Sequence, residues 1–365
     1  MKQNESDFRM EIVMIQGTRG NEGNKTITIY DIAKEAGVSA ATVSRVLTKS
    51  ANVRPEKKEK VQALIEKYNF RPNALAKGLA DTKSKVIGIL TADVRNPYYA
   101  ELFVSCEQAA REAGYSVMLF NTLGEMDLEE RMLEKLQEQR VDAVIQMGGR
   151  ADDLVSNMEY VELVNQVMAG IPVIVTGKLE GTACSIVRID SLEAMGLLMD
   201  HLIGLGHERI AFVGGNMTVL STYEKLLRYK QVLRENNIPY DPELILEGTY
   251  NEKSGYEQMN RLLEKNIPVT AVVAVNDFAA AGIVRSITEH GYRIPDDISL
   301  VSFDNTYIAE LMIPRLTSID YDYAEFGRKL IKTAIDEIEG GEGRKFITVM
   351  PALVERESSG RAKRI

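Results

Sequence analysis

From residue 86 onward, short apolar runs alternate with longer amphipathic stretches, and no other feature narrows the choice of fold so far. The strand candidates are Val86–Leu90, Val117–Phe120, Ala143–Met147 and Val173–Val175, then Ile210–Val213, Ala271–Val275 and Leu300–Phe303. Helical patterns fill the gaps, among them Tyr99–Ala113, Leu128–Gln139, Leu192–Leu205 and Glu224–Asn236. Apolar strands separated in this way imply parallel sheets built from β–α–β units. There are more units than one open sheet needs, and the pattern repeats: strand, helix, then Gly114-Tyr115 in one half and Asn237-Ile238-Pro239 in the other. Two doubly wound α/β lobes are expected, with a ligand in the crevice outside the carboxyl ends of the strands.

The chain has 365 residues, 45% of them hydrophobic, which fits two or three domains and excludes general disorder. No apolar run approaches the ~18 residues of a membrane span. The N-terminal stretch from Met1 to Gln16 is punctuated by charges and lacks the apolar core of a secretory signal, so a cytoplasmic protein is expected. Only Cys106 and Cys184 could form a disulfide, and the three histidines show no ligand spacing, so no metal and no cofactor are expected.

The net charge of −9 conceals a segregation. Residues 25–85 carry 13 Lys and Arg against 6 Asp and Glu, whereas residues 86–365 carry 28 against 43. A basic module on an acidic body points to a polyanion partner for the module alone. Within it, Thr28 and Asp31 have capping-box spacing, Ile29, Ile32, Ala33 and Ala36 recur at helical spacing, and Gly37 ends the helix. Ser39 caps a second helix with Val43, Val46 and Leu47 inward; Pro55 opens a third, with Val61, Leu64, Ile65 and Tyr68 on one face. The first two helices and their short turn form a helix-turn-helix pattern. Residues 73–84 come next as one short helix and a polar linker.

The segment Thr28 to Ala80 closely resembles the DNA-binding head of the LacI/GalR family of bacterial transcriptional regulators. The likeness continues through Asn96-Pro97-Tyr98-Tyr99, Asn276-Asp277, Ser302-Phe303-Asp304 and Pro314-Arg315-Leu316-Thr317-Ser318-Ile319, and so covers about residues 26–356. It implies an N-terminal all-α helix-turn-helix domain (26–72) and a hinge helix with linker (73–84). Behind them it implies a two-lobed core like the periplasmic binding proteins, with two doubly wound parallel sheets (85–356). The N-lobe is expected at about 85–189 plus 319–345 and the C-lobe at about 190–317 plus 346–356, with a flexible extension at 1–25 and a tail at 357–365.

A recognition helix sets its first residues against base edges in the major groove, here Ser39, Ala40, Ala41 and Thr42, with Ser44 and Arg45 one turn on. Ser39 and Thr42 can bond phosphates, which fixes register; Arg45 can donate two bonds to a guanine edge. The two alanines depart from members that carry larger polar side chains there. By resemblance, Ile29, Tyr30, Thr48, Asn52, Arg54 and Lys57 lie along the DNA backbone. The hinge residues Asn73, Ala76 and Lys77 join them, and Leu79 matches the leucine wedged into the minor groove. A helix of eight residues is too short to stand alone in water, which fits folding on DNA with a partner subunit. A homodimer on a pseudopalindromic operator is expected.

In the core, Asn96, Tyr98 and Tyr99 follow the first strand with Asp93 nearby, offering ring faces and hydrogen-bonding groups to a sugar. Asn276 and Asp304 follow strands of the second lobe. Lys225 stands where many relatives have arginine and cannot form that residue's bidentate fork. A sugar, sugar acid or sugar phosphate is therefore the expected effector, and the protein a repressor of a carbohydrate-utilisation operon. Two alternatives remain at this point: a global catabolite regulator with a phosphorylated carrier protein as corepressor, and a sugar receptor that binds no DNA. There is no G-x-G-x-x-G, no P-loop and no G-x-S-x-G, and no catalytic residues can be assembled, so an enzyme is not expected. Gly148-Gly149 reads as a lone pair of turn glycines, and His207 as a turn residue before the next strand.

Overall fold

A computed structural model describes residues 27–47, 53–70, 83–341 and 343–363. The chain divides into two units, 1–82 and 83–365. In the first, α1 (Ile29–Ala36), α2 (Ala40–Leu47) and α3 (Pro55–Lys67) close over Ile32, Ala33, Val43, Val46 and Val61. The Thr28 side chain accepts from the Asp31 amide while Asp31 accepts from the Thr28 amide, satisfying two donors that a helix start would otherwise strand. Gly37 leaves α1 at φ 66°, a conformation costly for residues with a Cβ. Glu35 ties α1 to the end of α3 through Lys67 at 2.8 Å and the Tyr68 hydroxyl at 2.7 Å.

The second unit holds two six-stranded sheets. The chain builds the first with β1 (Val86–Thr91), α4 (Pro97–Glu112), β2 (Ser116–Asn121), α5 (Met126–Glu138), β3 (Ala143–Met147), α6 (Met158–Val167), β4 (Val173–Val175) and β5 (Ser185–Ile189). It then crosses into α7 (Ser191–Gly204), β6 (Ile210–Val213), α8 (Leu220–Glu235), β7 (Ile245–Leu246), α9 (Glu252–Glu264), β8 (Ala271–Ala274), α10 (Asp277–Glu289), β9 (Ser299–Phe303), α11 (Tyr307–Leu311) and β10 (Thr317–Asp320). It returns through α12 (Tyr323–Ile338) and β11 (Phe346–Val349), and crosses once more to β12 (Ala352–Val354). The strand orders are β11-β5-β4-β3-β1-β2 and β12-β10-β9-β8-β6-β7, parallel throughout except where β12 runs against β10. Strand order reverses between β1 and β3 in one sheet and between β6 and β8 in the other. Loops leave the strands in opposite directions there and open a crevice.

All seven strands expected from the sequence are present, each within one residue at its ends. Two of the expected boundaries are corrected. Residues 346–349, expected in the C-lobe, pair in parallel with β5 and bury Val349 in the first core, so they complete the N-lobe sheet. Residues 319–320, expected in the N-lobe, belong to β10 in the second sheet. Nor are residues 357–363 a free tail. Ser358 is fully buried, its hydroxyl donating to the Leu300 carbonyl and accepting from the Thr317 amide at 2.8 Å, while the Gly360 amide donates to Ser299 at 3.0 Å. These bonds satisfy polar groups that would otherwise be buried without partners. Among the described residues no helix is long and apolar enough to cross a membrane, and no group of metal-ligating side chains converges.

Candidate functional sites

In the head, those of the residues expected to contact nucleic acid that lie among the described residues are on the solvent side of a small core. Val43 and Val46 turn inward, and that leaves Ala41, Ser44 and Arg45 exposed on α2, with Ala40 and Thr42 partly exposed. The Ser39 and Thr42 hydroxyls sit 3.0 Å apart, and Ser39 caps α2 by accepting from the Thr42 amide at 3.2 Å. Tyr30, Arg54 and Lys57 are exposed and Ile29 partly so. Thr48, Asn52, Asn73, Ala76, Lys77 and Leu79 lie outside the described residues.

In the second unit a cleft of about 610 Å³ opens between the lobes. Asp93, Asn96, Tyr98, Tyr99, Lys225, Asn276 and Asp304 all line it, so residues from four separate stretches of the chain converge. Several are already engaged. Asn96 caps α4 by accepting from the Tyr98 amide, and Asn276 caps α10 while its amide group donates to the Tyr250 carbonyl at 3.1 Å. Asp93 is clamped by Arg95, which holds its carboxyl below the usual range. Arg228, close to Lys225 in sequence, pairs instead with Glu235 outside the cleft lining.

Lys225 and Asp304 form the most unusual pair. Both are buried; the Lys225 ammonium lies 3.8 Å from the centre of the Phe303 ring and donates to the Val275 carbonyl at 3.3 Å. Burial pushes the ammonium down and the Asp304 carboxyl up, and each opposes the other's shift by its opposite charge. The Tyr321 hydroxyl also hydrogen-bonds to Asp304. Asp304 holds a φ of 97°, rare for a residue with a side chain. The turn is held open by Asp277, whose buried carboxylate accepts from Ser302, from Ser318 at 2.8 Å and from the Thr306 amide at 2.7 Å. Burial nevertheless raises Asp277 to about 6.

The first lobe contributes groups that sequence reasoning missed. After β3, a 3-10 turn at Gly149–Asp152 carries Arg150 and Asp152 into the lining. Buried Glu129 accepts from the Arg150 amide and from Gln146 at 2.8 Å, which fixes that turn. Asp152 is pushed up to about 7 by burial and by the neighbouring Asp153 and Glu129 charges, with Arg188 opposing. The one signal for this turn is Gly148-Gly149 directly after a strand, a pair that by itself says only that the chain bends. The lobes also touch across the cleft: Arg188 on β5 pairs with Glu224 on α8 at 3.0 Å, and the Leu154 amide donates to the Thr218 carbonyl at 2.7 Å. His207 does sit in the turn before β6, but it is buried and bonded to Thr270 at 3.0 Å and the Gly360 carbonyl at 2.9 Å.

Comparison with known proteins gives matches for both units. Residues 28–73 match the bacterial regulatory proteins of the lacI family, and residues 199–359 match a periplasmic binding protein-like domain. Catabolite control protein A of Priestia megaterium is 35% identical over 295 residues, covering 80% of this chain and 87% of that protein. The HTH-type transcriptional repressor PurR of Mannheimia succiniciproducens is 33% identical over 336 residues, covering 91% and 98%. Among solved structures, a lac repressor dimer bound to operator and the anti-inducer ONPF superposes with a TM-score of 0.83 at 27% identity, covering 92% of this chain and 100% of that one. A LacI family transcriptional regulator from Enterococcus faecium with bound ribose gives 0.67 at 28% identity, covering 76% and 100%.

Proposed function

Because the chain belongs to the lacI family of bacterial regulatory proteins and is a DNA-binding transcriptional repressor, we propose that it acts as a homodimer on a pseudopalindromic operator, under the control of a small hydroxylated effector held between its lobes. The observation that carries this reading is the convergence of side chains from four separate stretches of the chain on one cleft, in a chain that also bears an exposed polar helix face in its head. A ligand shifts DNA affinity only through its differential affinity for two arrangements of the protein. The contacts spanning the cleft, Arg188 with Glu224 and Leu154 with Thr218, hold the lobes together, so a ligand that touches both lobes favours that arrangement over one with the lobes apart. Fluorescence anisotropy with fragments from upstream of its own gene tests the proposal. Binding at low ionic strength that a metabolite strengthens or weakens is expected; no binding to any fragment overturns it.

The roles proposed for the head separate by chemistry. Arg45→Ala is expected to relax base preference at one position of each half-site by about 1–3 kcal/mol, read as a flattened preference in a selection from random duplexes. Lys57→Ala is expected to weaken all sequences alike and to lower the salt slope by about one. Unchanged preference in the Arg45 variant rejects its assignment.

A second reading is favoured by the likeness to catabolite control protein A. In it the controlling partner is a phosphorylated carrier protein and the cleft only tunes the response. Co-purification of such a carrier with the operator-bound protein distinguishes the two.

A further inference from the structure

Among the described residues, the cations of the cleft are all in contact with protein groups, whereas two of its carboxylates, Asp152 and Asp153, receive no hydrogen bond. Arg150 is held by Glu130 at 2.8 Å, by the Met126 carbonyl at 2.9 Å and by Glu129. Arg188 is held by Glu224, and Lys225 donates to the Val275 carbonyl at 3.3 Å and lies over the Phe303 ring. Asp93 and Glu129 are likewise occupied, by Arg95 and by Gln146 and Arg150. Partly buried Asp152, like Asp153, receives no hydrogen bond from any described residue, and the like charges of Asp153 and Glu129 outweigh the opposing charge of Arg188 there. Room for its carboxylate is made by Gly177, where any Cβ would collide with the Asp152 oxygen and the Ala151 carbonyl. Tyr98 and Tyr99 line the same cleft as Asp152 and Asp304, their rings edge-on to each other with centroids 5.0 Å apart.

We propose that the cleft selects a hydroxylated ligand bearing a protonated primary amine, of the amino-sugar class, with Asp152 as the group that receives the ammonium. An anionic ligand would meet no uncommitted cation and would face Asp152, Asp153 and Asp304. A neutral polyol could accept or donate at Asp152 but would bring no charge to match its carboxylate, so that carboxylate would sooner take up a proton in this partly desolvated site. A protonated amine supplies both the charge and the donors. The inference rests on the reading of the cleft as the effector site, and it identifies which effector that site takes.

Calorimetric titration of the full chain at pH 7 with matched sets tests it: glucosamine, galactosamine and mannosamine, each against its neutral hexose and that hexose's 6-phosphate. At least one amine is expected to bind about tenfold or more tightly than both counterparts, as a charge-assisted contact provides. Asp152→Asn is expected to remove that margin, bringing the amine's affinity to within about threefold of that of its hexose in the same variant. A hexose or phosphate binding as well as its amine, no amine binding at all, or a margin that survives in Asp152→Asn overturns the proposal. If the variant fails to fold, the wild-type comparison decides alone. Anisotropy of the ligand-free protein on operator fragments, run alongside, reads the regulator assignment separately, because ligand selectivity is measured without DNA.

Discussion

Replacing Asp277 with Ala is expected to lower the unfolding midpoint of the two-lobed unit by roughly 6–12 °C, about 3 kcal/mol at 2–4 °C per kcal/mol. The carboxylate is wholly buried and accepts from two serine hydroxyls and from the Thr306 amide and hydroxyl. Alanine leaves those donors in the interior without an acceptor. The loss also reaches the site, since the same bonds pin the turn on which Asp304 sits at φ 97°. Asp277→Asn keeps an acceptor oxygen and is expected to lose less. Its deficit has a pH signature with a definite sign. The folded state raises Asp277 from its ordinary value to about 6, so folded protein holds that proton more tightly than unfolded chain does. Wild-type stability therefore falls between about pH 4 and pH 6 through this group, whereas asparagine does not titrate. The gap between wild type and Asp277→Asn should narrow from pH 4 to pH 7 in thermal unfolding; a gap that widens contradicts the assignment.

Lys225→Met is expected to cost about 3 kcal/mol at pH 8 and little or nothing at pH 5. Methionine fills much the same volume, so the change isolates the charge. Asp304 is raised by burial even with the ammonium beside it, and removing the ammonium raises it further. At pH 5 the Asp304 carboxyl carries its proton and needs no cation, while the wild type must keep Lys225 charged in a buried place. At pH 8 the wild type recovers the attraction of the pair, and the variant must either bury a bare carboxylate or hold a proton against the solution. Unfolding midpoints of both proteins at the two pH values check this. Equal deficits at pH 5 and pH 8 would show that Lys225 contributes through packing on Phe303 instead of through charge.

The architecture is legible in the sequence wherever local physics and tertiary structure agree. Fully buried parallel strands such as Ala143–Met147 and Val173–Val175 announce themselves as apolar runs, and Thr28, Gly37 and Pro55 mark helix boundaries by what their own backbones need. Strands with polar residues at their ends, such as Ser185–Ile189 and Thr317–Asp320, give no comparable signal, because their partners are supplied by segments far off in sequence. The lobe boundaries are misplaced for that reason. All seven cleft residues implied by the family likeness do line the cleft. What the sequence does not disclose is which of their polar atoms already have partners. Asn96 and Asn276 commit oxygens to helix starts, and Asp277, adjacent to a chosen residue, is the support for another. Asp152 is invisible because its character comes from its surroundings: a desolvated position, two acidic neighbours and the space left by Gly177.

The passage of the chain between the lobes at three places bears on how it is made. The first sheet begins at Val86, yet its edge strand is Phe346–Val349 and the helix covering it is Tyr323–Ile338, with Phe326 and Leu330 in the core. A ribosome therefore finishes the whole second sheet except its last strand before the first can close. From Ile189 until Phe346 is made, the earlier half waits with the β5 edge unpaired and part of its core bare to the solvent, a period in which unpaired edges invite association with other chains. The half that is translated first is the half that is completed almost last.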